Sequence, residues 1–226
     1  DFITTVTHEL RTPVTSIKAL SRIILDDYDR LDEERRTAYL QIIVNESDRI
    51  SRLINQVLDI EKLRSEDNLR PMEPLELTEI IAAAVNGMQQ LFAERNISCS
   101  FPHTGESWVV KGDHDKLVQV VVNLLSNALK FCDPVNGRID IGLLQKGGSV
   151  LLSVRDNGPG IPHKAREIIF EQFTQLQSKE QGKPQGTGLG LFITKKIVEQ
   201  HNGSIRVESE PGEGALFEVK LPLSEP

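Results

Sequence analysis

Residues 113–131 read DHDKLVQVVVNLLSNALKF. Leu117, Val118, Val121, Val122, Leu124, Leu125, Ala128 and Leu129 give this run a helical apolar pattern, and Asp113 stands at its start as a cap. Against that background Gln119, Asn123, Asn127 and Lys130 form a narrow polar stripe at spacings of four and three. A largely apolar helix is a buried one, and buried polar groups need partners. A solvent-facing stripe would ordinarily mix charges, whereas this one holds no Asp or Glu. It therefore favours a site for an anion or a metal. Carboxamide oxygens coordinate Mg²⁺, and an ammonium one turn on meets a phosphate.

Around this helix the apolar period alternates between 3.6 and 2. Downstream, strands are predicted at Arg138–Leu144 and Val150–Arg155, a helix from Leu189 to His201, and strands over 204–209 and 215–221. Asn202-Gly203 and Pro211-Gly212-Glu213-Gly214 supply turns. Upstream, Thr78 reads as the cap of a helix over 79–95, followed by strands near Ile97–Phe101 and Trp108–Val110. The expected fold here is an α+β sandwich, with helices on one face of a mixed sheet.

Residues 1–64 follow a different rule. Val6, Leu10, Pro13, Ile17, Leu20 and Ile24 alternate spacings of four and three, and Ile43, Ile50, Leu53, Val57 and Ile60 repeat the heptad in a second helix from Asp32 to Leu63. The polar stretch 26–30 joins the two. Such a hairpin cannot bury its seam alone. It either pairs with a second copy as a four-helix bundle or packs on the rest of its own chain. A polar linker, Ser65 to Pro74, marks the boundary.

Composition narrows the function classes. The 226 residues carry a formal net charge of -7, which argues against general binding to nucleic acid or an anionic membrane surface. The 2 cysteines, Cys99 and Cys132, form no C-x-x-C and no disulfide framework, so a reducing, cytoplasmic compartment is expected. No apolar run reaches the ~18 residues of a membrane helix. The chain opens at Asp1-Phe2 inside a helical pattern, so an upstream part such as a sensor or membrane region is expected to precede it.

His8 lies between Val6 and Leu10 of the apolar seam and falls at heptad position f, the position farthest from the core. Glu9 follows it directly, Thr12 lies one turn on along the same face, and Pro13 interrupts the helix interior, a defect that costs about 3 kcal/mol. A nucleophilic imidazole with a carboxylate to orient it, or to take its proton, accounts for this arrangement. The hydroxyl of Thr12 could position a water over His8, or it could bond back to the His8 carbonyl one turn earlier. Although His8-Glu9 begins like H-E-x-x-H, Thr12 stands where the second zinc ligand belongs. The histidines at 103, 114, 163 and 201 lack metal-ligand spacing.

Two glycine motifs complete the set. Asp156-x-Gly158-x-Gly160 ends an apolar strand; Asp156 can accept from the exocyclic amino group of adenine, and the glycines admit close backbone approach. Gly186-Thr187-Gly188-Leu189-Gly190-Leu191 turns into a helix, whose free N–H groups and dipole suit phosphates. Either motif alone also reads as a turn.

Taken in this order, the motifs resemble the sensor histidine kinases of two-component signalling, whose nucleotide domain is similar to that of gyrase, Hsp90 and the mismatch-repair ATPases. Residues 8–13 are similar to the H box, 123–128 to the N box, 156–160 to the G1 box, 170–173 to the F box and 186–191 to the G2 box. The resemblance implies that residues 1–66 are a dimerisation and histidine-phosphotransfer domain, and 72–226 a catalytic ATP-binding domain. It implies His8 as phosphoacceptor with Glu9 and Thr12 in catalysis, and Asn127 as the Mg²⁺ ligand beside Asn123. Lys130 would lie near the phosphates of ATP and Phe131 against the adenine. Asp156, Gly158, Gly160 and residues Gly186, Thr187, Gly188, Leu189 and Gly190 would complete nucleotide binding, with 160–186 as a mobile lid. It further implies a homodimer that passes its phosphoryl group to an aspartate of a response-regulator receiver domain and that also dephosphorylates that regulator. One departure stands out: many family members carry an Arg after the F box, whereas 174–177 has none, which leaves Lys179 or Lys183 to approach the γ-phosphate. An ATPase or serine kinase of the same nucleotide fold, and a non-catalytic scaffold, are the rival readings. The H box and the heptad hairpin count against the first, and the intact Asn127, Asp156 and three G2 glycines against the second.

Overall fold

The computed structural model describes residues 2–64, 71–102, 105–175 and 186–224. Two long antiparallel-packed helices come first, α1 (Phe2–Asp26) and α2 (Glu33–Arg64). Helix α1 runs straight on through Pro13, which is the buried residue of that helix, so the proline's apolar ring is placed where it packs. The connection over 27–32 is held by Arg30 N–H and Leu31 N–H donating to the Asp27 carbonyl, at 2.9 and 3.1 Å. Leu53 and Ile60 are buried, and Leu10, Val57 and Leu63 pack beside them against the core of the rest of the chain. A second apolar stripe is left uncovered. Val14, Leu40, Val44, Ile54 and Leu58 are each about half exposed, at 52, 53, 52, 46 and 51%. The hairpin thus packs on its own chain through one end of α2 and still presents a free apolar face.

The remaining elements are β1 (Glu73–Glu76), α3 (Leu77–Glu94), β2 (Ser98–Ser100), β3 (Val109–Gly112), α4 (His114–Phe131), β4 (Arg138–Lys146), β5 (Ser149–Asp156), α5 (Gly190–Gln200), β6 (Ser204–Ser209) and β7 (Ala215–Pro222). Five strands form one sheet in the order β2-β4-β5-β7-β6, with β2 parallel to β4 and the rest antiparallel. Along β5, Val150, Leu152 and Val154 are buried while Ser153 and Arg155 face the open side, the period-2 pattern of a sheet covered on one face. Helices α3, α4 and α5 make that cover, with Ile81, Leu124, Leu125, Ile193 and Ile197 fully buried.

Two elements depart from the sequence reading. The region taken as linker ends inside β1, which pairs antiparallel with β3 so that Pro74 stands opposite Lys111. A strand of four residues has too short a pattern to announce itself, and proline is tolerated because the pair is an edge of its own. Helix α3 also starts two residues before the reading placed it. Glu76 occupies the N-cap position, its carboxylate accepting from the Trp108 N–H (2.8 Å) and the Thr78 hydroxyl (3.0 Å), while Thr78 sits in the first turn. The expected cap at Asp113 holds: its carboxylate accepts from Lys116 N–H at 3.2 Å.

His201, at the end of α5, pins this helix to the start of α4. Its Nδ1 lies 2.7 Å from the Ile197 carbonyl, and its Nε2 lies 3.0 Å from the Asp113 N–H. Both bonds form only with the neutral ring protonated at Nδ1. The ring is buried, and burial holds its pKa below the ordinary 6.5. A depressed histidine pKa means that the unfolded chain binds the proton first, so its stabilising effect is complete above pH 6.5 and is lost as pH falls through the folded-state value. We expect unfolding free energy to fall on acidification below pH 6.5, with a slope approaching about 1.4 kcal/mol per pH unit. His201→Gln should lack that component. Urea titrations from pH 7.5 to 5 check it, and parallel pH dependence of wild type and variant would refute the assignment.

Candidate active site

The sequence-predicted residues fall into two groups. The first lies on α1. His8 projects into solvent, with 73% of its side chain exposed. Glu9 is turned back toward α2 and is only 24% exposed. One carboxylate oxygen, Oε2, accepts from Arg49 Nη2 at 3.1 Å, while Oε1 lies 3.9 Å from His8 Nδ1. Glu46 approaches the same guanidinium at 3.8 Å. The Thr12 hydroxyl bonds back to the His8 carbonyl at 3.4 Å, a long contact that leaves the hydroxyl on an exposed face.

The second group surrounds the C-terminal half of α4. Asn123 donates its amide to the Thr194 hydroxyl (3.3 Å) and the Gly190 carbonyl (3.4 Å), so its carboxamide oxygen points away from α5. Asn127, one turn on and half-buried, takes no hydrogen bond among the described residues. The Lys130 ammonium sits 4.3 Å above the centre of the Phe131 ring and beside Gly186. Burial draws its pKa down from the usual 10.5. Gln119, the first member of the stripe, finds a different partner: its amide donates to Asp59 of α2 at 2.7 Å.

Asp156 is buried at the end of β5, and its Oδ1 accepts from Gly158 N–H (2.9 Å) and Ala215 N–H (3.3 Å). Burial pushes its carboxyl pKa up, against the pull of those two bonds and of Arg155. Its other oxygen takes no hydrogen bond among the described residues, leaving an acceptor for a ligand N–H. Gly158 must be glycine, because a Cβ there would stand 2.2 Å from the Phe131 carbonyl oxygen. Gly160 lies beyond it in the turn that runs against Glu210.

Across the site, Gly186, Thr187, Gly188 and Leu189 lead into α5, whose first residue is Gly190. Gly188 has φ +71 and sits against the Phe173 backbone, so a side chain would be strained twice over. Leu189 is fully buried and anchors the loop. Thr187 is buried as well. Its hydroxyl meets Gln56 of α2 and accepts from the Leu189 N–H at 3.3 Å. Residues 176–185, including Lys179 and Lys183, lie outside the described residues, as does His103.

Together the second group borders one cleft: an acceptor at the end of β5, where Gly158 stands against Phe131; carboxamides and an ammonium along α4, the ammonium beside Gly186; and the N–H groups that open α5. Such a layout can take a ligand that donates at the Asp156 end and carries negative charge toward α5. Among the described residues no cluster of three or more His, Cys, Asp or Glu stands ready for a metal. Sequence reasoning missed Arg49, Gln56, Asp59 and Thr194. Thr194 carried a faint signal as a polar residue among Ile193, Ile197 and Val198, and the other three carried none, since each acts across a long sequence separation. No hydrogen bond or ion pair among the described residues joins His8 to the cleft. The groups are tied through α2, by Gln56, Asp59 and the Leu63 carbonyl, which accepts from Gln200 at 3.0 Å.

Residues 112–225 match the family model described as histidine kinase-, DNA gyrase B-, and HSP90-like ATPase, and residues 1–66 that of the His Kinase A (phospho-acceptor) domain. Sensor histidine kinase TmoS of Ectopseudomonas mendocina is 36% identical over 236 residues, which span 100% of this chain and 23% of the relative. Sensor-like histidine kinase SenX3 of Mycolicibacterium smegmatis is 32% identical over 222 residues, 98% of this chain and 57% of its own. The chain therefore spans less than two thirds of either relative. Among solved structures, histidine kinase ThkA in complex with response regulator protein TrrA superposes with a TM-score of 0.77 at 30% identity, covering 99% of this chain and 61% of that one.

The glycines of the cleft differ sharply in what they tolerate. At Gly158 a methyl would meet a backbone oxygen, whereas at Gly190 it would meet nothing within 4 Å. Gly158→Ala should cost about 1–3 kcal/mol or more, and Gly190→Ala should be neutral or stabilising by up to about 1 kcal/mol, as a helix residue. Urea denaturation of the two variants tests this, and equal effects would contradict the packing.

Proposed function

Because this chain belongs to the histidine kinase family of two-component signalling, we propose that it is a kinase core that transfers the γ-phosphoryl group of ATP to His8. The observation that carries the proposal is the exposure of His8, on a helix whose Leu10 and Pro13 are packed away, in the same chain as a cleft that pairs the Asp156 acceptor with the Lys130 ammonium. We assign residues 1–66 to phosphotransfer and dimerisation, and 72–226 to ATP binding.

Each residue would then have a definite task. Asp156 would accept the adenine amino group through its unbonded oxygen, with Phe131 beside the base. The half-buried Asn127, whose side chain has no hydrogen-bond partner among the described residues, suits one ligand position on Mg²⁺, with Asn123 next to it. Magnesium is ordinarily held by few protein groups and by phosphate oxygens, so a site without an acidic cage among the described residues fits. When bound, the ion would neutralise phosphate charge. Lys130, Thr187 and the backbone N–H groups of Gly186, Gly188 and Gly190 would hold the phosphates, with buried Leu189 anchoring their loop, and Gly158 and Gly160 would let the backbone close on the base. Phosphoryl transfer has a loose transition state, so positioning and charge neutralisation supply most of the catalysis. The lone pair of His8 Nε2 would form the bond to phosphorus as the bond to the ADP oxygen breaks, with the electron pair leaving on ADP. Glu9 would hold the Nδ1 proton.

The phosphoryl group would pass next to an aspartate on a response-regulator receiver domain, a partner class supported by the ThkA complex with TrrA. The exposed Thr12 hydroxyl, free of any short bond, would hold a water in line with that aspartyl phosphate during dephosphorylation. Among the described residues no helix is long and apolar enough to cross a membrane. Incubation with labelled ATP should yield an acid-labile, base-stable protein phosphate that His8→Ala abolishes. Undiminished labelling in that variant would overturn the assignment.

The free apolar stripe of the hairpin supports a homodimer. Half-exposed Val44 and Leu58 are regularly spaced along α2 and would interleave with a second copy as a four-helix bundle. Light scattering should therefore report a dimer at micromolar concentration, and Val44→Glu with Leu58→Glu should give a monomer. A monomeric wild-type chain would count against the bundle.

A further inference from the structure

We propose that Arg49 is a positioning residue for phosphorylation of His8, acting through Glu9; the proposal rests on the kinase reading above. Arg49 lies on α2, and Glu9 on α1. The two face each other across the hairpin at 3.1 Å, with only 24% of either side chain exposed. Pairs of this kind, shielded between helices, hold geometry better than surface pairs, which lose most of their attraction to water. Glu46, one turn before Arg49 on α2, approaches the same guanidinium at 3.8 Å. The fork is thus braced from its own helix and gripped by the facing one.

What this grip decides is the direction of the Glu9 carboxylate. Free glutamate spreads over many rotamers, and ordering it costs up to about 2 kcal/mol in lost side-chain entropy. Here Oε2 is committed to Arg49, and the remaining oxygen, Oε1, is left 3.9 Å from His8 Nδ1. That gap is too long for a hydrogen bond, but the imidazole is 73% exposed and turns freely to close it. A carboxylate at Nδ1 selects the tautomer protonated there, and so places the lone pair on Nε2, the other nitrogen of the exposed ring. The chemistry then balances without a further base. Nε2 forms the N–P bond, the bond from phosphorus to the ADP oxygen breaks with its electrons, and the Nδ1 proton stays in the hydrogen bond to Glu9 as positive charge develops on the ring. A carboxylate not held by Arg49 would spread over other rotamers toward water, and His8 would lose the bias.

The test measures the tautomer directly, in the chain as it stands. Nitrogen NMR of the His8 ring in its neutral form should show mainly the Nδ1–H form in wild type. Arg49→Met and Arg49→Gln should both shift the population toward Nε2–H, and Arg49→Lys should restore much of it. In single-turnover labelling at saturating ATP, the two neutral variants should react about tenfold or more slowly than wild type, with nucleotide affinity unchanged, because the residue acts on the acceptor side alone. A merely structural role for Arg49 would lower the thermal midpoint and leave the tautomer of the folded fraction as in wild type, and that outcome overturns the proposal. So do equal labelling rates in wild type and both neutral variants. If wild type yields no phosphohistidine, the kinase reading fails by itself, and the tautomer ratio of wild type against Arg49→Gln still decides whether Arg49 orients His8 through Glu9.

Discussion

Helix α4 has to bury one face on the sheet, and it carries along its side four polar residues that cannot follow that face into an apolar core. Most of the architecture is an answer to this conflict. Leu117, Val120, Val121, Leu124, Leu125 and Ala128 are almost fully withdrawn from water on the covered side of the sheet. The polar stripe is left at the margin, where each member needs something to bond to. Gln119 finds Asp59 of α2 and Asn123 finds Thr194 of α5. Asn127 and Lys130 are left to face a cleft, the lysine resting on the Phe131 ring. A site for a charged ligand therefore arises where the helix runs out of protein partners.

The same conflict explains how the helical hairpin is attached. Asp59 accepts from Gln119 and lies 3.5 Å from Lys116, so two residues of α4 reach one carboxylate of α2. Gln56, a turn earlier, meets the hydroxyl of Thr187 in the loop that opens α5. Phe2 stacks near Phe173, with ring centroids 5.8 Å apart. These polar contacts ring an apolar one, since Leu53 and Ile60 of α2 are buried in the core that the sandwich shares, while the hairpin's exposed stripe stays outside it.

Electrostatics divides labour in a comparable way. Asp156 is buried and pushed toward its neutral form, yet two backbone N–H groups keep it oriented. His201 is held neutral between Asp113 and Ile197, where a charge would put a proton on Nε2 and break the bond from the Asp113 N–H. Both groups are far more buried than His8 and Glu9, which remain at the water boundary where a proton can come and go. Buried groups are fixed within the fold, and the exposed His8 sits where the chemistry is proposed.

Much of this was legible in the sequence. The heptads of residues 1–64, the Asp113 cap, the alternating strands and the glycine turns are local patterns, and local patterns specify local structure. His8, Asn127, Asp156 and the glycines were likewise visible, because each breaks the pattern around it: an exposed histidine beside a proline, carboxamides in an apolar helix, glycines after a strand. Other features had no local signature. Strand β1 is too short to show a period, and only its pairing with β3 makes it a strand. Arg49 reads as one more charged residue on an amphipathic helix until α2 folds back and brings it 3.1 Å from a carboxylate forty residues away. The same is true of Gln56, Asp59 and Thr194. A sequence determines which faces must be buried, since that depends on the residue and its near neighbours. Which polar groups meet across those faces depends on how the elements pack, and that is decided only when the chain closes on itself.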